Sequence, residues 1–151
     1  MKVSSAVFRH ILVPTDGSEP SVRAAQLATH LLRGSPGRLT VLYVVDELVL
    51  RELTRFNGRS HVDAKIELEE HGRRYLKLIE RDAEREGLCV ETLIRQGTPF
   101  EEIVAVAAEL GVDLIAMGHI GQRGARRILI GSVTGHVLDF ATCPVLVVKG
   151  S

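Results

Sequence analysis

Two hydrophobic rhythms alternate along the chain. Short β-branched runs are followed by longer stretches whose apolar residues recur near a 3.6-residue period. Ile11-Leu12-Val13 reads as a strand and leads into the turn cluster Pro14-Thr15-Asp16-Gly17-Ser18. Val22, Ala25, Ala28, Leu31 and Leu32 then predict a helix, which Gly34-Ser35-Pro36-Gly37 stops. Leu39–Val45 is almost continuously apolar, the pattern of a strand covered on both faces. Asp46–Ser60 shows no clear period and is expected to be an irregular, mobile lid, with Phe56-Asn57-Gly58-Arg59 as a turn. A polar helix is predicted over Val62–Glu86, with Leu68, Tyr75, Leu76, Ile79 and Ala83 on one narrow stripe and Gly87 as its C-cap.

The second half keeps the same rhythm. Cys89–Arg95 alternates and reads as an edge strand. Thr98-Pro99-Phe100-Glu101 has the form of a capping box, and Ile103, Val104, Ala107 and Leu110 give the following helix a buried face. Val112–Met117 is a strand, followed by a glycine-rich loop to Gly131 and a short helix over Ser132–Ala141. Val145–Val148 is the last strand. Strands alternating with helices predict an α/β domain with a parallel sheet covered on both faces. Ligands bind such sheets outside the carboxyl ends of the strands, where the strand order reverses. The loops after the first, second and fourth strands are therefore where chemistry is expected.

Composition narrows the function classes. With 151 residues the chain reads as a single domain over 1–151. Lys plus Arg and Asp plus Glu are 19 each, so no net charge favours nucleic acid or an anionic membrane. Aromatics make up 4% and Trp is absent, which leaves few rings for stacking bases of single strands. Cys89 and Cys143 form no CxxC pair, the six histidines show no zinc-type spacing, and no metal ligand is assigned. Without an apolar N-terminal segment or a run approaching ~20 apolar residues, the expectation is a cytoplasmic protein with no membrane partner.

The fourth strand ends in Gly118-His119-Ile120-Gly121, and nine residues later Gly131-Ser132-Val133 opens the last helix. Glycines at a strand end let backbone approach a ligand closely, and a helix N-terminus favours an anion. This pattern fits a phosphate cradle. It equally fits a long loop with glycine turns and Ser132 as an ordinary N-cap. No Gly-Lys-[Ser/Thr] follows four variable residues after a glycine, and no GxGxxG opens the first helix. A P-loop NTPase and a dinucleotide-binding dehydrogenase are thereby disfavoured. Asp16-Gly17-Ser18 alone is ordinary turn and N-cap chemistry.

Gly-x2-Gly-x9-Gly-Ser in this position resembles the nucleotide motif of the ATP-binding branch of the universal stress proteins. The resemblance extends over Ile11–Ser18, Val44-Val45-Asp46-Glu47, Gly97-Thr98-Pro99, Val112–Gly118 and Cys143–Val148, nearly the whole chain. It implies a Rossmann-like, adenine nucleotide alpha hydrolase-like fold of five parallel strands in order 3-2-1-4-5. It also implies a homodimer paired through the last strand, Val145–Val148, whose uncharged edge invites such cover.

Carried over residue by residue, the resemblance places Asp16 and the Thr15 backbone at the adenine and ribose, and Val44 against the adenine ring with its backbone reading the ring edge. Gly118 would lie by the ribose. Gly121, Gly131, Ser132 and Val133 would hold phosphates through backbone N–H groups, with Thr134 as a further candidate. Pro14 and Met117 belong to the same nucleotide-binding set. The family commonly has a small hydroxyl residue and then His or Arg between the first two glycines, where this chain has His119 and Ile120. The imidazole of His119 is thus either displaced by one residue or lost from the site. Arg123, Arg126 and Arg127 either neutralise phosphate charge or form a solvated basic loop.

The implied ligand is ATP or another adenine nucleotide, with Mg2+ or Mn2+ carried by its phosphates. The implied function is that of a homodimeric, nucleotide-responsive regulator of the stress response, with no catalytic residue assigned. Two rivals are a slow ATPase or autophosphorylating enzyme and a nucleotide-free dimeric scaffold. The first lacks a lysine in the phosphate loop and an evident base to activate water. The second does not need the glycines.

Overall fold

The first apolar run becomes the central strand. The computed structural model describes residues 7–121 and 130–150. In it, β1 (His10–Pro14) is buried along its whole length. It lies between β2 (Arg38–Asp46) and β4 (Leu114–Gly118), and all pairings are parallel. β3 (Cys89–Gly97) and β5 (Val145–Val148) close the two edges, giving the order β3-β2-β1-β4-β5.

Alternating side chains of the strands feed two cores. Ile11, Val13, Leu39 and Val41 face α1 (Glu19–Leu32) and α3 (His61–Arg85), with Ala24, Ala28, Leu76, Ile79 and Ala83 packed against them. Leu12, Leu42, Ile115 and Met117 face α4 (Pro99–Leu110) and α5 (Ser132–Phe140), meeting Ile103, Val106 and Val137.

Several boundaries differ from the periodicity. Val22 and Leu31 stand 36% and 42% exposed on α1. Its buried face is made of Ser21, Ala24, Ala25, Ala28, Thr29 and Leu32, small side chains that let the helix lie close to the sheet. Val112 belongs to the turn that closes α4 and not to a strand. Gly111 adopts φ +62° there, and the Val112 N–H donates to the Ala107 carbonyl at 3.1 Å. The Thr98 side chain makes no capping hydrogen bond, so α4 starts without the capping box.

The largest correction concerns 46–60. This stretch carries a helix, α2 (Glu47–Phe56), and is not an irregular lid. Asp46 caps it by accepting the Leu48 N–H at 2.9 Å, and Glu47 and Arg51 pair one turn apart at 3.9 Å. Leu50 is its one buried residue, although Val49, Leu53 and Phe56 keep the i, i+4, i+7 spacing of a helix. The expected turn does end the helix: Asn57 is the C-cap and Gly58 takes φ +65°. Among the described residues no helix is long and apolar enough to cross a membrane.

Candidate functional site

At the carboxyl ends of β1, β2 and β4 a cavity of about 470 Å³ opens. This is the point where the strand order reverses. Pro14, Thr15, Asp16, Val44, Met117, Gly118, Gly121, Gly131, Ser132, Val133 and Thr134 all line it. The structure thus brings together the sequence-derived candidates with two exceptions. His119 is not among the lining residues, and Ile120 takes that place. The His119 N–H donates to the Val148 carbonyl at 2.9 Å, and its buried Nδ1 has no partner among the described residues. Arg123, Arg126 and Arg127 fall outside the described residues.

The loop wall is a mesh of short-range bonds. The Thr15 N–H reaches the Leu42 carbonyl at 2.8 Å, which ties the β1–α1 turn to β2. The Thr15 and Ser21 hydroxyls lie 2.9 Å apart, and the Gly17 N–H donates to Thr15 Oγ1 at 3.1 Å. Asp16 Oδ1 accepts the Ser18 N–H at 2.9 Å, while Ser18 caps α1. The motif glycines line the cavity and are also packed closely against protein. A Cβ on Gly118 would come to 2.9 Å from the Ser21 nitrogen and 2.6 Å from the Pro20 Cβ. On Gly121 it would overlap the Asp16 carboxylate, and on Gly131 it would lie 3.2 Å from the Ile120 Cα. The Gly131 N–H closes the loop onto the His119 carbonyl at 2.6 Å.

One end of the cavity is polar because of backbone. Gly131 is the N-cap of α5 and offers no side chain, and no capping bond forms. The first N–H groups of α5, at Ser132, Val133 and Thr134, have no acceptor four residues back in the helix. All three residues line the cavity. The Thr134 hydroxyl is already committed, donating to the Gly118 carbonyl at 2.8 Å. Its hydroxyl proton is therefore engaged with protein and not directed at a ligand. Ser132 remains exposed, with its hydroxyl at the helix entrance. The positive pole of α5 adds to the attraction for an anion.

The opposite end is largely apolar and joins Val44, a sequence-derived candidate, to residues of β2, α2 and α3 outside that set. Tyr43 and Val44 of β2, Val49 of α2, and Leu68, His71 and Tyr75 of α3 line it, with Asp46 at the β2–α2 junction. Two glycines seat α3 here. Gly72 lies against the Tyr43 ring so closely that a Cβ would overlap it, and Gly17, at φ +82°, does the same under Tyr75. The two rings are 6.3 Å apart, centroid to centroid, and tilted by 50°. Burial pushes the Tyr43 phenol above its ordinary pKa, reinforced by Tyr75 and by the Asp16 and Asp46 carboxylates. A glycine in mid-helix at Gly72, one residue after a histidine inside an apolar stripe, was the available signal for this wall. Among the described residues no three His, Cys, Asp or Glu side chains converge as a metal site.

An anion-favouring pole facing an apolar pole across one cavity suits a ligand that is charged at one end and flat and apolar at the other. Residues 8–149 match the universal stress protein family. The chain belongs to that family. A universal stress protein of Methanocaldococcus jannaschii, MJ0531, is 37% identical over 143 residues, covering 95% of this chain and 83% of the relative. YxiE, a universal stress protein of Bacillus subtilis, is 32% identical over 149 residues, covering 95% of this chain and 100% of the relative. The solved structure of MJ0577 from M. jannaschii superposes with a TM-score of 0.85 at 34% identity, over 95% of this chain and 96% of that one.

More distant solved structures share the universal stress protein fold. One is a universal stress protein in complex with cAMP, at 23% identity. Another is an Arabidopsis thaliana family member with AMP bound, at 17% identity.

Proposed function

We propose that this universal stress protein binds an adenine nucleotide in the cavity, as a homodimeric cytoplasmic regulator that responds to nucleotide. The observation that carries this reading is the uncapped N-terminus of α5, whose first-turn residues Ser132, Val133 and Thr134 line a cavity with an apolar far end. Phosphates fit the N–H pole and a base fits the apolar pole. The cAMP and AMP bound by two members of the fold make adenine the first base to try. A divalent ion would arrive with the phosphates and would need few protein ligands. Binding is favoured over turnover: among the described residues no lysine lines the cavity, and His71, its one lining histidine, sits at the apolar end.

Dimerisation through β5 has its own support. Val145–Val148 is uncharged and each residue is only half-buried at the sheet edge. Leu138 and Phe140 of the neighbouring α5 stand 42% and 58% exposed. The β3 edge, by contrast, carries Glu91, Arg95 and Gln96, and Arg95 pairs with Glu109. Self-pairing about a two-fold axis would cover both copies of β5 at once.

Thermal unfolding with ATP tests the ligand. At ~100 times the dissociation constant the stabilisation is about 2.7 kcal/mol. A melting temperature unmoved by millimolar ATP, with and without magnesium, removes the reading. Sedimentation at low micromolar concentration tests the dimer, and a single 16.5 kDa species refutes it.

A further inference from the structure

We propose that His71 reads the edge of the nucleotide base from α3; this rests on the nucleotide reading above and assigns base selectivity to a helix outside the glycine motif. Leu68, His71 and Tyr75 follow the i, i+3, i+7 spacing of one helical face, and all three line the cavity. His71 carries two ring nitrogens in that stripe, beside the Tyr75 phenol. Its imidazole has no hydrogen-bond or ion-pair partner among the described residues.

An imidazole at the cavity wall with no partner among the described residues can exchange water for a ligand donor or acceptor without breaking a protein bond. The next residue seats the helix here, because Gly72 lies directly against the Tyr43 ring.

The sheet order decides which end of the ligand His71 meets. β2 and β4 flank β1 on opposite sides, and α5 follows β4 while α3 packs over β2 and β3. The N–H pole and His71 therefore stand at opposite ends of the cavity. A ligand with its phosphates at Ser132 and Val133 turns its other end toward Val44, Val49 and His71. The group there must be flat enough for the apolar walls and carry a polar edge for the imidazole. A heteroaromatic base has both properties, and a ribose or an additional phosphate lacks the first.

Selectivity follows from the physics of a buried polar edge. A hydrogen bond made in the cavity contributes modestly, but leaving a desolvated edge unpaired is costly. The base whose donors and acceptors match the imidazole is retained, and one whose pattern conflicts is disfavoured.

The test uses the full chain, His71→Leu and His71→Gln, with calorimetric titration of ATP, GTP and inorganic tripolyphosphate, and a melting curve of each variant without ligand. His71→Leu is expected to lose ~10-fold in ATP affinity, to narrow the ATP-over-GTP ratio, and to bind tripolyphosphate as the parent does. His71→Gln, which keeps a donor and an acceptor, is expected to stay within about threefold for ATP. ATP affinity unchanged in His71→Leu overturns the assignment. So does an equal loss of ATP and tripolyphosphate, which would make His71 a packing residue, and so does a His71→Gln variant as weak as His71→Leu. A parent protein that binds neither ATP nor tripolyphosphate overturns the nucleotide reading itself, and the assignment with it.

Discussion

The two walls of the cavity use glycine for different ends. On the loop wall, Gly118 and Gly131 bring backbone against backbone: Gly118 lies under the start of α1, and Gly131 lies against Ile120. On the helix wall, Gly72 and Gly17 bring backbone against the rings of Tyr43 and Tyr75. Backbone that is bonded on several sides has little room to yield, whereas a ring can turn about its side-chain torsions. The loop wall is thus a fixed frame for a ligand's charged end. The helix wall is an adjustable one, and its side chains can differ without altering the frame.

The largest effect is expected from adding a single methyl group to the frame. Gly118→Ala would push a Cβ to 2.6 Å from Pro20 and 2.9 Å from the Ser21 nitrogen. Relief requires moving α1, which packs across the central strands. A loss of about 3 kcal/mol in urea unfolding is expected, at the upper end of ordinary overpacking. Gly72→Ala should cost less, about 1–2 kcal/mol, and Tyr43→Ala in the same chain should restore much of it. Equal losses that are indifferent to Tyr43 would erase the distinction between the walls.

Next in size is a change that should leave stability alone. Ser132 is exposed and supplies no capping bond, since Gly131 is the N-cap of α5. Ser132→Ala should unfold at the same denaturant concentration as the parent and bind ATP more weakly, by about 1–3 kcal/mol. Tripolyphosphate should weaken by a similar factor, because the loop wall meets the charged end. A variant with parental affinity for both would move the phosphates away from Ser132.

Much of the loop wall was legible in sequence, and the reason is physical. Turn chemistry at Asp16-Gly17-Ser18 and the glycine spacing from Gly118 to Gly131 are local, so neighbouring residues declare them. All the sequence candidates with described coordinates except His119 line the cavity. The strand order, too, is as the family resemblance implied. The helix wall was not legible because its contacts join distant segments. Leu68 and Tyr75 were identified as part of an apolar stripe, yet no periodicity says that one end of that stripe meets a cavity and the other the core. α2 itself is legible: Val49, Leu53 and Phe56 stand at i, i+4 and i+7, a helical spacing easily overlooked beside the Asn57-Gly58 turn. The glycine spacing declares close approaches, and it does not declare that Pro20, Asp16 and Ile120 are protein neighbours of these glycines.

A smaller effect should touch both walls alike and comes from the far end of β1. His10 is buried, with Nε2 at 2.7 Å from Thr40 Oγ1 and Nδ1 at 3.5 Å from an Arg38 nitrogen. Burial, and then the Arg38 charge, hold its pKa below the ordinary 6.5, although Glu91 and Asp113 pull the other way. The folded state therefore binds fewer protons at His10 than the unfolded chain does. Its contribution is complete above pH 6.5 and is lost as pH falls through the depressed folded value. Unfolding midpoints measured between pH 7.5 and about 5 should decline, and His10→Gln should flatten the decline. A parental slope in that variant would assign the acid sensitivity to other groups.

The smallest effect is expected at the hinge of the adjustable wall. Asp46 holds the first turn of α2 through the Leu48 N–H while also lining the cavity. Removing the cap with Asp46→Ala should cost α2 about 1 kcal/mol. Because Leu50 is its only buried residue, that cost should fray α2 without reaching global stability. Hydrogen exchange separates the two: amides of Glu47–Phe56 should exchange faster in the variant, while β1 and β4 stay protected. In the parent, ATP should slow the same amides, because Val49 of α2 and Val44 of β2 share the apolar end of the cavity. Exchange in α2 that ignores both the cap and the ligand would mean that this helix rides on the domain without sensing the site. Adjustability would then belong to α3 alone.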